Sequence, residues 1–185
     1  ASSLAQELKT QALANAQRSG SEGDALAALE AASFPERKTE RWKYTSLQAL
    51  ADGHLNAIAD GEISQPLPAL SEHVVTINNG QLVSHNLPDG VTLSHDGPAI
   101  NGLQTPFAFY NSAVASQPVV LTVAANTRIE QPIHVQIQSA SDAPAHCNPR
   151  LVVVLNQGAE AAVIEHYHAE GQALTNAVTA LVTAD

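Results

Sequence analysis

Val119-Val120-Leu121-Thr122-Val123, Ile133-His134-Val135-Gln136-Ile137, Leu151-Val152-Val153-Val154-Leu155, Ala161-Ala162-Val163-Ile164-Glu165-His166 and Ala177-Val178-Thr179-Ala180-Leu181-Val182-Thr183 recur along the second half of the chain, each closed by a polar break. Val, Ile and Thr dominate these segments, and β-branched side chains sit better on a pleated surface than in a helix, so the segments read as strands. The breaks Ala125-Asn126, Asp142-Ala143-Pro144, Asn156-Gln157-Gly158 and Glu170-Gly171 carry turn chemistry. No helical period separates the strands, which argues against a doubly wound sheet and leaves a sandwich, a barrel or a solenoid. Their uneven spacing favours a parallel β-helix, whose coils vary in length while the strands keep register. The last segment alternates Val178, Ala180 and Val182 with Thr179 and Thr183 up to Asp185. It would leave an uncharged open edge, to be covered by self-association with another copy or by further coils of a longer protein.

Working back from the ladder, Pro106 to Ala115 reads as a short amphipathic helix that plugs its near end. Before it, Asn78-Asn79-Gly80 between His73–Ile77 and Gln81–His85 is a hairpin signal, because Asn and Gly tolerate positive φ. Pro88-Asp89-Gly90 adds a turn and Val91-Thr92-Leu93 a short strand. The tract Asp52 to Leu70, with Gly53, Gly61, Pro66 and Pro68, reads as a connection. Ahead of it, Ser3-Leu4-Ala5-Gln6 has the form of a capping box and predicts a helix over Leu4–Arg18. Asp24 then caps a second helix ending before Phe34-Pro35. The expected organisation is a small helical region over 1–52, a linker over 53–72 and a β-rich region over 73–185. The expected fold class is mainly β.

The chain has 185 residues, 44% of them hydrophobic and 14% charged. Residues 1–43 hold six Lys/Arg and six Asp/Glu, whereas residues 44–185 hold only Arg128 and Arg150 against twelve acids, so the second part carries the whole formal charge of −10. A surface so poor in cations cannot neutralise a run of phosphates, which argues against nucleic acid and anionic membranes as partners. The strand-like runs are far shorter than the roughly 20 apolar residues of a membrane helix. The first residues lack the apolar core of a secretory signal, and the single cysteine, Cys147, allows no intrachain disulfide; a cytoplasmic location is expected.

Motifs for nucleotide binding, triad chemistry or paired-cysteine metal sites are absent. The most ligand-like cluster is Glu165-His166-Tyr167-His168, where strand alternation places His166 and His168 on one face and Glu165 and Tyr167 on the other. Two nitrogen ligands without a third are few even for zinc, so a structural role is the better reading. His146-Cys147, flanked by Pro144 and Pro149, reads as a loop that could expose a thiolate, yet Arg150 is the only nearby cation and a lone thiol is an incomplete cluster ligand set. His54, His73, His85, His95 and His134 carry no signal. No catalytic, metal or cofactor residue is therefore assigned. In Phe34 to Leu47, Trp42 and Tyr44 read as packed on a neighbour, with a docking patch for a partner as the sharper alternative.

That tract, Phe34-Pro35-Glu36-Arg37-Lys38-Thr39-Glu40-Arg41-Trp42-Lys43-Tyr44-Thr45-Ser46-Leu47, resembles the SufB/SufD family and fits its SufD branch. Asn101-Gly102-Leu103, Pro106-Phe107 with Tyr110-Asn111, and Gly158-Ala159-Glu160-Ala161 leading to Glu165-His166-Tyr167 extend the resemblance over essentially the whole chain. It implies a helical N-terminal region, a right-handed parallel β-helix and a C-terminal helical domain that docks the SufC ATPase. Members work as a SufB–SufC–SufD scaffold that assembles iron–sulfur clusters. Family members are much longer, so the far coils, the SufB contact and the SufC-docking domain are expected beyond this chain, and no functional residue is carried across. The expected function is a non-catalytic scaffold subunit. The alternatives are a generic β-helix interaction module and a β-helix polysaccharide enzyme, the last disfavoured because these strands hold no carboxylate but Glu165.

Overall fold

The computed structural model describes residues 3–36, 38–54, 57–100, 102–115 and 117–184. Arg37, Asn101 and Asp185, quoted above, lie outside them, as does the side chain of His54. The architecture is mixed α and β. Three helices, α1 (Leu4–Arg18), α2 (Gly23–Ala31) and α3 (Pro106–Val114), accompany β1 (His73–Asn78), β2 (Gln81–Asn86), β3 (Val91–Ser94), β4 (Val119–Val123), β5 (Ile133–Cys147), β6 (Arg150–Leu155), β7 (Val163–Thr175) and β8 (Val178–Thr183). The strands form two four-stranded sheets, ordered β2-β1-β5-β7 and β3-β4-β6-β8.

From β4 onward, consecutive strands alternate between the sheets, and every pairing among them is parallel. Alternation of side chains along each strand sends Ile133, Val135 and Ile137 of β5, Leu121 and Val123 of β4, and Leu151 and Val153 of β6 into one core shared by both sheets. Each such side chain contributes roughly 1.5–3 kcal/mol on burial. The Asn79-Gly80 hairpin forms as its residues dictate, with φ 50° and 81°.

Three expectations about this region are corrected. First, α3 does not plug the ladder. The near edges are covered by β1–β2 on one sheet and by antiparallel β3 on the other, which satisfies the edge backbone groups by direct strand pairing. Second, Asp142-Ala143-Pro144 and Glu170-Gly171 do not end their strands; β5 and β7 bend there and continue, with a register shift between Ser141 and Ala145. The bends stack: Gly171 has φ +65°, and a Cβ on it would lie 2.2 Å from the carbonyl oxygen of Ser141. Third, His146-Cys147 is therefore the end of a strand rather than an exposed loop, and Cys147 is buried.

Helix α1 spans the expected residues, and the Ser3 hydroxyl accepts from the Gln6 amide at 3.3 Å. Asp24 falls in the first turn of α2, whose preceding residue Glu22 makes no side-chain cap. Leu8, Ala12 and Ala16 of α1, Leu29 of α2, and Tyr110 and Ala113 of α3 join Phe34 and Leu47 in a second core.

The connecting tract is tied along the bent strand β5. Ala59 and Gly61 donate to the carbonyls of His146 and Ala140 at 2.8 and 2.9 Å, and His146 donates to Ala57 at 2.9 Å. Gly61 is required at its crossing, since a Cβ there would lie 2.8 Å from the Ala140 oxygen.

Candidate functional site

Strand alternation in β7 divides the Glu165–His168 cluster as expected. Glu165 and Tyr167 pair in register with Val135 and Ile137 and so share the inner face. The Tyr167 hydroxyl donates to Glu165 Oε2, and Thr179 Oγ1 donates to the same oxygen at 2.9 Å. Burial, then the neighbouring Glu165 carboxylate, raises the Tyr167 pKa. Glu165 and Thr179 line a shallow cavity of about 250 Å³ with Val153, Val163 and Leu181, between the outermost strands β7 and β8.

His166 and His168 face the other way, in register with Gln136 and Gln138. His134 stacks on His166 with ring centroids 5.5 Å apart, and His168 Nε2 lies 3.4 Å from Glu170 Oε1. Residues 64–70 cross this face. The Leu70 amide donates to His134 Nδ1 at 3.1 Å and the Leu67 amide to Gln138 Oε1 at 2.8 Å, while Gln136 Nε2 donates to the carbonyl of Leu67 at 2.9 Å. At the far end, the Ser64 hydroxyl and amide and the Gln65 amide all donate to the Glu170 carboxylate. Those bonds, the Ser64 hydroxyl foremost, hold the Glu170 pKa down to about 2.

A second polar cluster is enclosed where α1 and α3 meet the end of β5. Asn15 Nδ2 donates to the Tyr110 hydroxyl at 2.9 Å, and that hydroxyl lies 3.1 Å from His146 Nε2. Asn148 Nδ2 meets His146 Nδ1 at 2.8 Å, and Asn176 Nδ2 donates to Asn148 Oδ1 at 2.9 Å. With Asn148 donating to Nδ1, the neutral imidazole carries its proton on Nε2 and donates to Tyr110. Burial lowers the His146 pKa to about 4 and raises that of Tyr110 to about 12.

Cys147 points away from His146. Its Sγ lies 3.8 Å from Thr175 Oγ1, which is itself 2.7 Å from Ser139 Oγ. Burial raises the thiol pKa, so this sulfur is a poor nucleophile and metal ligand. Among the described residues, no three His, Cys, Asp or Glu side chains are placed to hold a metal ion.

Trp42 ends a single 3-10 turn (Glu40–Trp42), partly buried against Phe107 at 5.4 Å between ring centroids; Phe107 also meets Phe34 edge-on at 5.5 Å. Tyr44, read as packed, is instead 91% exposed and lies beneath the Lys43 ammonium at 4.9 Å. The isolated histidines differ among themselves: His95 Nδ1 lies 2.9 Å from the Pro118 carbonyl, His85 is exposed on β2, and His134 is fully buried.

The sequence reading missed the roles of His134 and His146. Each acquires its partners from residues far away in the chain, so no local spacing signals them. No protein-family model and no curated protein matches the chain.

Proposed function

We propose that this chain is the N-terminal part of a SufD-type subunit, a non-catalytic cytoplasmic scaffold that acts with SufB and SufC in assembling iron–sulfur clusters. The observation that carries this reading is the in-register parallel stacking of strands that alternate between two sheets, β4-β6-β8 and β5-β7. Such winding is what a right-handed parallel β-helix requires, and it supports the fold that the family resemblance implies. The outermost strands β7 and β8 have strand neighbours on one side, with Tyr167 and Leu181 exposed. An edge of this kind takes up further coils or a partner strand by backbone pairing.

A scaffold role also suits the chemistry. In the Asn15–Tyr110–His146–Asn148 cluster, buried polar groups join two helices to the end of β5, which is a structural use of them. Affinity purification of the full-length protein from cells provides the test. Recovery of SufB and SufC together is expected; recovery of neither, under conditions where the bait is folded, overturns the assignment.

A further inference from the structure

We propose that residues 64–70 form an acid-released strap, latched to the outer face of β5 by neutral His134 and freed from that end when the histidine takes up a proton. The latch is the 3.1 Å bond in which Nδ1 of His134 accepts from the Leu70 amide. An accepting Nδ1 requires the proton of the neutral ring to sit on Nε2, and Nε2 is buried without a hydrogen-bond partner among the described residues. The ring is fully buried and stacked on His166, whose Nδ1 is likewise buried and unpartnered.

A second proton on His134 must go to Nδ1, where it points at the Leu70 N–H. The latch bond is then lost and two donors face each other. Among the described residues, no ion pair supplies the new cation with a counter-charge: residues 64–70 carry no ionisable side chain, and Val74, Thr76 and Asn78 of β1 are uncharged. From β7 come His166, His168 and Glu170, the last engaged with Ser64, Gln65 and His168. Glu62 and Glu72, flanking the strap, are exposed to solvent. Opening gives both nitrogens water, so proton uptake favours the open form. In the closed form, burial and then His166 hold the His134 pKa below its ordinary 6.5. Closure is thus fully favoured above 6.5 and weakens as the pH falls below it.

The two ends of the strap respond differently. Glu170 stays ionised at pH 5, its pKa lying at about 2, so Ser64 and Gln65 remain fastened while Leu67 to Leu70 lift. Lifting uncovers Gln136 and Gln138, which lose the Leu67 carbonyl and amide.

Amide hydrogen exchange of the whole chain by NMR, corrected for intrinsic rates, tests this at pH 7.5 and pH 5. The opening constant at Leu67 and Leu70 is expected to rise, by at most about thirtyfold for one histidine, while Ser64, Gln65 and the core amide of Val153 do not follow. His134→Asn keeps an acceptor near the position of Nδ1 and cannot titrate, so it should flatten the response at Leu70. Three results overturn the proposal: no pH response at Leu70 in the wild type, an undiminished response in His134→Asn, or a rise shared by Val153, which means global unfolding. Should His134→Asn fail to fold, the His134 ring titration in the wild type decides. Its midpoint must coincide with the loss of Leu70 protection, and a separation of the two equally overturns the latch.

Discussion

The hydroxyl of Tyr110 lies 3.1 Å from Nε2 of His146, joining helix α3 to the end of strand β5 in a site where both side chains are almost fully buried. Asn15 reaches the same hydroxyl from α1, so one oxygen links two helices to a sheet. Tyr110→Phe keeps the ring and removes the oxygen. The expected loss is about 1–3 kcal/mol, the cost of leaving buried donors without their acceptor. Equilibrium denaturation in urea measures it, and a variant as stable as the wild type contradicts the assigned role.

The same pair sets a pH dependence. His146 is neutral when folded, with its pKa lowered from 6.5 to about 4, whereas the unfolded chain binds a proton near 6.5. The stabilisation is complete above 6.5 and is lost as the pH falls toward 4. Between pH 7 and pH 5 the loss amounts to about 2 kcal/mol from this group. Denaturation curves at the two pH values should separate accordingly, and His146→Gln should bring them closer together. Coincident wild-type curves contradict the prediction.

Gly171 permits β7 to bend on top of the bend in β5. Gly171→Ala combines a residue other than glycine at φ +65° with a Cβ 2.2 Å from the Ser141 oxygen. The left-handed backbone alone costs on the order of 1–3 kcal/mol, and the contact adds to it. A melting temperature unchanged from the wild type would show that the bends are not stacked as described.

Trp42 and Tyr44, two residues apart, should respond in opposite ways to truncation. Trp42→Ala removes the contact with Phe107 and is expected to destabilise by about 1–2 kcal/mol. Tyr44→Ala, at a 91% exposed position, should stay within about 0.5 kcal/mol. Equal effects in a thermal melt contradict this division, and so does Trp42 emission characteristic of free indole in water.

Cys147 should be slow to react with an aromatic disulfide reagent in the native protein and fast in denaturant, because it is 2% exposed and its thiol pKa is raised. Anaerobic reconstitution with iron and sulfide should leave this chain colourless. A stoichiometric visible band that disappears in Cys147→Ser would make the end of β5 a cluster site.

Much of the architecture was legible because the relevant signals are local. Ser3 and Gln6 mark the start of α1, Asn79-Gly80 fixes the hairpin, and the alternation of Ile133, Val135 and Ile137 announces which side of a strand is buried. The same alternation correctly separated His166 and His168 from Glu165 and Tyr167. Other features depend on residues that meet only after the chain has wound. Pro144 and Gly171 look like stops, yet one bend stacks on another, and β5 and β7 pair again beyond it at Ala145 and Ala173. Likewise, the partner of His134 is the backbone of Leu70, and that of His146 is the hydroxyl of Tyr110. What the amino-acid order determined by itself was periodicity and turn chemistry, since both act over a few residues. Which polar groups share a dry interior, and hence which histidines are held neutral, was decided by tertiary structure, because desolvation depends on everything that surrounds a side chain and not on its neighbours in sequence.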